Sequence, residues 1–200
     1  MNQAIAALVR RHDPDRFLTA LFAPPEKREA LLVLYAFNHE LARAREAVHE
    51  PPLALIRLQW WRDILEGAHR RHEVAEPLTA AIEAGLLDRG DLLALAEARE
   101  IEAEPKIATR QCWLAYLHAS AGGVAVAAAR LLGAPDAETL RPLGAAFGIA
   151  GLLRSVPAHA RQGRCLLPEE TLLKHALSGE HVIREPDSPA LRTVIGLLAR

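Results

Sequence analysis

The sequence predicts an all-α protein. Half of its residues are apolar but only 4% are aromatic, with alanine and leucine dominant. Strands enrich the aromatic and β-branched types that are scarce here, so this composition favours helix. No stretch alternates convincingly between apolar and polar residues as a half-buried strand would. Apolar residues instead recur at three-and-four spacing, and proline, glycine and capping side chains punctuate the runs. At 200 residues the chain is long enough for one substantial core, and a single domain over 1–200 is expected.

Asp13-Pro14-Asp15 starts a helix, with a capping aspartate and proline in the first position; Phe17, Leu18, Leu21 and Phe22 follow before Pro24-Pro25. Glu26 begins a long helix with a core stripe of Leu34, Phe37, Leu41, Ala44 and Val48, which Pro51-Pro52 end. A third helix carries Leu55, Leu58, Trp61 and Leu65 and frays into a polar run over 68–73. Shorter helices over 77–87 and 91–102 are separated by Asp88-Arg89-Gly90. Residues 108–132 form a central helix that stops at Gly133 and Pro135.

Asp136 then caps a helix that runs through uncharged residues 142–153, with Leu143, Phe147, Ala150 and Leu153 at core spacing. Ser155, Ala158 and His159 share one face at its end, where Pro157 strains it. Pro168 opens a short helix, and a last one follows Glu185-Pro186-Asp187-Ser188.

A net charge of −1, from 24 basic and 25 acidic residues, gives no sign of a nucleic-acid partner. Cys112 and Cys165 read as reduced thiols of a cytoplasmic-type compartment, Cys112 buried in an apolar helix. The N-terminus lacks the apolar run of a signal peptide. Residues 111–129 carry no formal charge, but Gln111, His118, Ser120 and two glycines suit a buried bundle helix better than a membrane span.

Most local candidates for chemistry have plainer readings. His69 and His72 lie among arginines on a polar stretch, with too few ligands for zinc. Of the adjacent Trp60 and Trp61, one is core and the other interfacial, since neighbours diverge by about 100° on a helix. Gly122-Gly123 lies inside an apolar helix and serves close packing.

Several short pieces fall in a specific order: Asp15-Arg16-Phe17, the stretch 24–34, Tyr35-Ala36-Phe37, Leu58-Gln59-Trp60-Trp61-Arg62, Ala98-Arg99-Glu100, Leu131-Leu132-Gly133, Phe147-Gly148 and Arg164-Cys165-Leu166-Leu167-Pro168. Together they resemble the squalene/phytoene synthase family over most of the chain. The resemblance implies an isoprenoid synthase-type helical bundle around a central cavity, with 35–46 and 147–159 facing each other across it. Family domains continue for several more helices, so a bundle lacking the last of them is expected.

In active members two aspartate-rich motifs hold Mg²⁺, which binds substrate diphosphates and helps one ionise. The matching positions here are Ala42, Arg43 and Glu46 in the first motif, and Ser155, Ala158 and His159 in the second. One carboxylate, Glu46, survives. No catalytic residue, metal site or cofactor is therefore expected; Mg²⁺ enters only if the chain is a prenyltransferase with a rearranged site. Tyr35, Asn38, His39, Arg154 and Arg164 are the candidate cavity or anion contacts.

These departures, with 36–42, 153–157 and His159, are similar to a branch of the family that assists assembly of respiratory complex I. The resemblance implies a pseudoenzyme with a protein partner, a complex I subunit or assembly intermediate. An isoprenoid or lipid ligand is the alternative, and self-association is compatible with either. The location implied is cytoplasmic or peripheral at the inner membrane.

Overall fold

The computed structural model describes residues 2–46 and 50–200. Among them there are thirteen α-helices and two 3₁₀ turns, and the nearest approach to a sheet is an isolated bridge between Ile107 and Pro168. The chain opens with a helix that its composition did not mark, α1 (Gln3–His12). The Asn2 side chain accepts from the amides of Ala4 and Ile5, and Ile5, Ala6 and Val9 bury. α2 (Pro14–Ala20) starts as expected, with the Asp13 side chain accepting from the Arg16 amide. Its apolar residues do not enter the core: Leu18 is 58% and Phe22 91% exposed.

α3 (Pro25–Glu46) is the central helix of a first core; Leu34, Phe37, Leu41 and Ala44 are buried, while Val48 lies outside the described residues. Pro51 and Pro52 form the first turn of α4 (Pro51–Leu65). Trp61 is buried and Trp60 half-buried, whereas Leu55 is exposed and Ala54 takes its place inside. His69 and His72 lie in the non-helical stretch after α4, His72 beside both tryptophan rings.

α5 (Ala75–Glu83) and α6 (Arg89–Ala98) cover the same core, and a 3₁₀ turn (Glu100–Ala103) follows them. The expected single helix over 108–132 is two, α7 (Arg110–Ala119) and α8 (Ala121–Leu132), broken at Ser120. The Ser120 hydroxyl donates to the Tyr116 carbonyl at 2.6 Å and so competes with the helical ladder. The combined stretch is long and apolar enough to cross a membrane, but just over half of its most apolar window is buried within the bundle. Cys112 is exposed on α7; Trp113 takes the buried position beside it.

A second 3₁₀ turn (Ala137–Leu140) precedes α9 (Arg141–Arg154), and Asp136 makes no side-chain cap bond there. The buried face of α9 differs from the expected one. Leu143 is 69% and Phe147 44% exposed, while Gly144, Ala145, Gly148 and Leu152 lie inward. The small residues win because they let α8 come close: a Cβ on Gly144 would lie 2.5 Å from Ala125 Cβ, and one on Gly148 2.4 Å from Ala121 Cβ. α9 ends before Pro157, which becomes an early residue of a separate helix, α10 (Val156–Arg161). α11 (Glu169–Lys174), α12 (Gly179–Arg184) and α13 (Pro189–Leu198) complete a second core with α7, α9 and α10.

α1 is held to α3 in part by two histidines. The His12 and His39 rings stack with centroids 4.2 Å apart, and His39 Nε2 is buried without a partner. Burial, then the neighbouring His12, lowers the His39 pKa below its ordinary 6.5, against the opposing pull of Glu40. The unfolded chain therefore binds the proton more readily, so this contribution is present above pH 6.5 and is lost as pH falls below it. Urea midpoints should fall between pH 7 and pH 5, and His39→Gln should flatten that slope.

Candidate functional site

Two neighbouring cavities open between α2, α3 and the α7–α8–α9 layer. The first is an apolar groove of about 250 Å³ between α2 and α9, floored by Tyr35, Val124 and Ala128. The second is a polar cavity of about 290 Å³ whose wall brings Asn38 and Ala42 of α3 opposite Gly148, Arg154, Ser155 and His159. So 35–46 and 147–159 do face each other across a cavity, as the resemblance implied. Arg16 and Phe147 line both spaces. The Arg16 guanidinium lies 4.7 Å from the Phe147 ring centre and pairs with Asp13 at 2.7 Å.

The floor of the polar cavity is a buried ionic network built from four parts of the chain. Glu102, only 5% exposed, accepts from Arg99 at 2.7 Å and from the Tyr116 hydroxyl at 2.7 Å on one oxygen. Its other oxygen accepts from Arg164 at 3.1 Å. Arg99 also donates to the Asn38 side-chain oxygen at 2.9 Å. Burial alone would raise the Glu102 pKa; Arg99, Tyr116 and Arg164 together outweigh it and hold the carboxyl below its ordinary 4.5. Burial and the Glu102 charge push the Tyr116 hydroxyl the other way, well above 10. Glu102 is thus an anion and Tyr116 a neutral donor.

Of the six motif positions, Ala42, Ser155 and His159 line the cavity. Arg43 is exposed and pairs with Glu40 at 3.0 Å, away from it. Ala158 is not among the lining residues, and the Glu46 side chain lies outside the described residues. His159 Nδ1 is buried without a partner; burial, then Arg164, lowers its pKa. Among the other candidates, Asn38 and Arg154 face the cavity. Tyr35 belongs to the apolar groove, and burial raises its pKa. His39 turns to α1 and does not line the cavity, because adjacent residues on α3 diverge. Arg164 is buried behind Glu102 and reaches the far side, a third space of about 470 Å³.

Glu102 and Tyr116 were not singled out from sequence. The one local signal was the Arg99–Glu102 spacing at i, i+3, which looks like a surface pair. The implied Mg²⁺ does not fit the described donors. Ala42 offers no ligand, Ser155 and His159 are weak ones for a hard ion, and Glu102 is committed to two arginines. Among the described residues no three His, Cys, Asp or Glu side chains gather where they could hold a metal ion.

Comparison with known proteins fits this architecture. The chain is 27% identical over 196 residues to NADH dehydrogenase (ubiquinone) complex I assembly factor 6 of Homo sapiens, covering 94% of this chain and 59% of that protein. It is 33% identical over 198 residues to the Drosophila melanogaster homolog, covering 89% and 57%. Presqualene diphosphate synthase of Sinorhizobium fredii is 25% identical over 160 residues, covering 74% and 56%. The chain therefore spans well under two thirds of the length of these relatives.

Among solved structures, a dehydrosqualene synthase in complex with ligand superposes with a TM-score of 0.78 at 16% identity, covering 98% of this chain and 71% of that one. Squalene synthase HpnC from Alicyclobacillus acidocaldarius superposes with a TM-score of 0.74 at 18% identity, covering 98% and 76%. Both establish the helical fold. Residues 9–200 match the profile described as squalene/phytoene synthase, and with the shared bundle and facing motif helices the chain belongs to that family.

Proposed function

We propose that this chain is a non-catalytic member of the family that supports assembly of respiratory complex I by binding a protein partner. The observation that carries this is the cavity wall. Where the family resemblance calls for metal-holding aspartates, the wall presents Ala42, Ser155 and His159, and its described carboxylate is neutralised by Arg99 and Arg164. Departure of a diphosphate needs its charge neutralised by metal or an equivalent, and these residues supply no carboxylate to hold one. Similarity to assembly factor 6 in human and fly supports the assembly role. The site of action in this reading is at the inner membrane, with the protein peripheral to it.

Deleting the gene should lower assembled complex I, and the Ala42→Asp variant should restore it as well as the original protein does. Turnover of farnesyl diphosphate that needs both Mg²⁺ and Glu46 would overturn the reading. The apolar groove favours a second one, a binding protein for an isoprenoid or lipid chain. Thermal stabilisation by farnesol without Mg²⁺ would support it, and no stabilisation would exclude it.

A further inference from the structure

We propose that this chain forms a two-fold symmetric dimer in which Phe22 of each copy inserts into the apolar groove between α2 and α9 of the other. The knob and the hole lie side by side. Phe22 is 91% exposed, more than any other large apolar side chain among the described residues. It follows α2 by one turn: its amide donates to the Thr19 carbonyl at 3.1 Å, and residues three apart in such a turn eclipse each other. Thr19 lines the groove, so Phe22 stands over the groove's rim while adding nothing to its lining.

The volume of the groove selects a ring. It is about 250 Å³. A dry apolar cavity of about 150 Å³ already holds benzene, whereas pockets for drug-sized molecules span about 300–1,000 Å³. One phenyl side chain therefore fits. Val124, Ala128 and Leu143 give it apolar walls, and the Phe147 ring is available for an edge or offset contact.

Charge and area favour a second copy as the occupant. The charged side chains of the lining are Asp15 and Arg16, one of each sign, so the groove lacks the basic surplus of a surface that docks on anionic lipid. A two-fold interface uses the same patch on both copies and so needs one patch that carries both shapes, as this one does. Leu18, Phe22, Leu140, Leu143 and Phe147 are 37% to 91% exposed and show roughly 550 Å² of apolar surface per copy, near the top of what a monomer ordinarily carries. Two such patches with their polar rims reach the roughly 1,200 Å² at which specific interfaces begin, which fits a dimer in exchange with monomer rather than a permanent one. This inference is independent of the assembly role, and it gives the groove to a protein side chain rather than to a lipid chain.

The test is sedimentation equilibrium of the full chain across the low- to high-micromolar range, where a reversible monomer–dimer equilibrium is expected. Phe22→Asp removes the knob and Leu143→Asp spoils the hole. Each should stay folded by circular dichroism and weaken the dimer by about thirtyfold or more, the size of an interface hot spot. Leu173→Asp, at a 62% exposed residue of α11 outside the groove, should leave it unchanged. An equimolar mixture of the Phe22→Asp and Leu143→Asp chains should associate more tightly than either alone, because the mixed pair keeps one intact knob and one intact hole.

A monomer at every concentration overturns the inference, and so does a dimer that either substitution leaves intact. A mixture no tighter than its components overturns the reciprocal insertion. A monomer that Phe22 anchors to phosphatidylcholine vesicles assigns this face to a membrane and overturns it as well. Each of these results leaves the assembly role standing.

Discussion

Glu102→Ala should be the most damaging single substitution outside the apolar cores. It removes the acceptor of three hydrogen bonds and leaves Arg99, Arg164 and the Tyr116 hydroxyl without their shared partner. Breaking a buried ion pair from one side costs about 3–5 kcal/mol, because the remaining charge stays desolvated. For a chain of this size that corresponds to a Tm lower by roughly 10 °C. Urea unfolding monitored by circular dichroism measures it.

Glu102→Gln keeps an acceptor for Tyr116 and should fall between. The triple change Arg99→Met, Glu102→Leu, Arg164→Met should recover most of the loss, since an apolar replacement leaves no orphaned charge. The pH dependence has a definite sign. The folded carboxyl titrates below its ordinary 4.5, so the network stabilises above that pH and its contribution disappears as pH falls through the folded value. Glu102→Gln should remove this part of the acid sensitivity.

The second large effect is expected at the α8–α9 contact. A methyl group added at Gly144 would meet Ala125 Cβ at 2.5 Å and the Ala121 carbonyl oxygen at 2.7 Å. One at Gly148 would meet Ala121 Cβ at 2.4 Å. Neither obstacle is the tip of a flexible side chain, so the helices themselves must separate. Overpacking of this kind costs about 1–3 kcal/mol, and Gly144→Ala should lie at or above the upper end because it strikes backbone.

Gly151 is the internal control. A Cβ there meets nothing within 4 Å, so Gly151→Ala should gain about 1 kcal/mol from helix propensity alone. Equal losses at all three positions would mean that propensity or the unfolded state, rather than close approach, sets the effect. The Gly144 variant should also move the wall of the polar cavity, because Gly148, Arg154 and Ser155 lie on or directly after the same helix.

These two sites mark how far the sequence reached. The all-α class, most helix starts and the facing of 35–46 against 147–159 followed from spacing, capping and the family resemblance. The buried side of α9 did not, because hydropathy counts Leu143 and Phe147 as core and counts glycine as nothing. What decides that face is the distance between helix axes, which no residue carries by itself. Glu102 was hidden for a related reason. Glu100, Glu102 and Glu104 alternate like a solvated acidic stretch, yet Glu102 meets Tyr116 and Arg164 from 14 and 62 residues away. The Ser120 break also escaped notice, since it rests on one hydroxyl bond within an otherwise helical pattern.

The order of the elements has a consequence for synthesis. The first core draws on residues 5–96 and then on Val124, Ala127, Ala128 and Leu131 of α8, which the ribosome delivers later. At translation rates of about 5–20 residues per second, the nascent helices α1–α6 wait on the order of seconds for that cover. Through the interval the inner face of α3 stays open to chaperones, and a pause in translation between α6 and α8 would prolong the exposure.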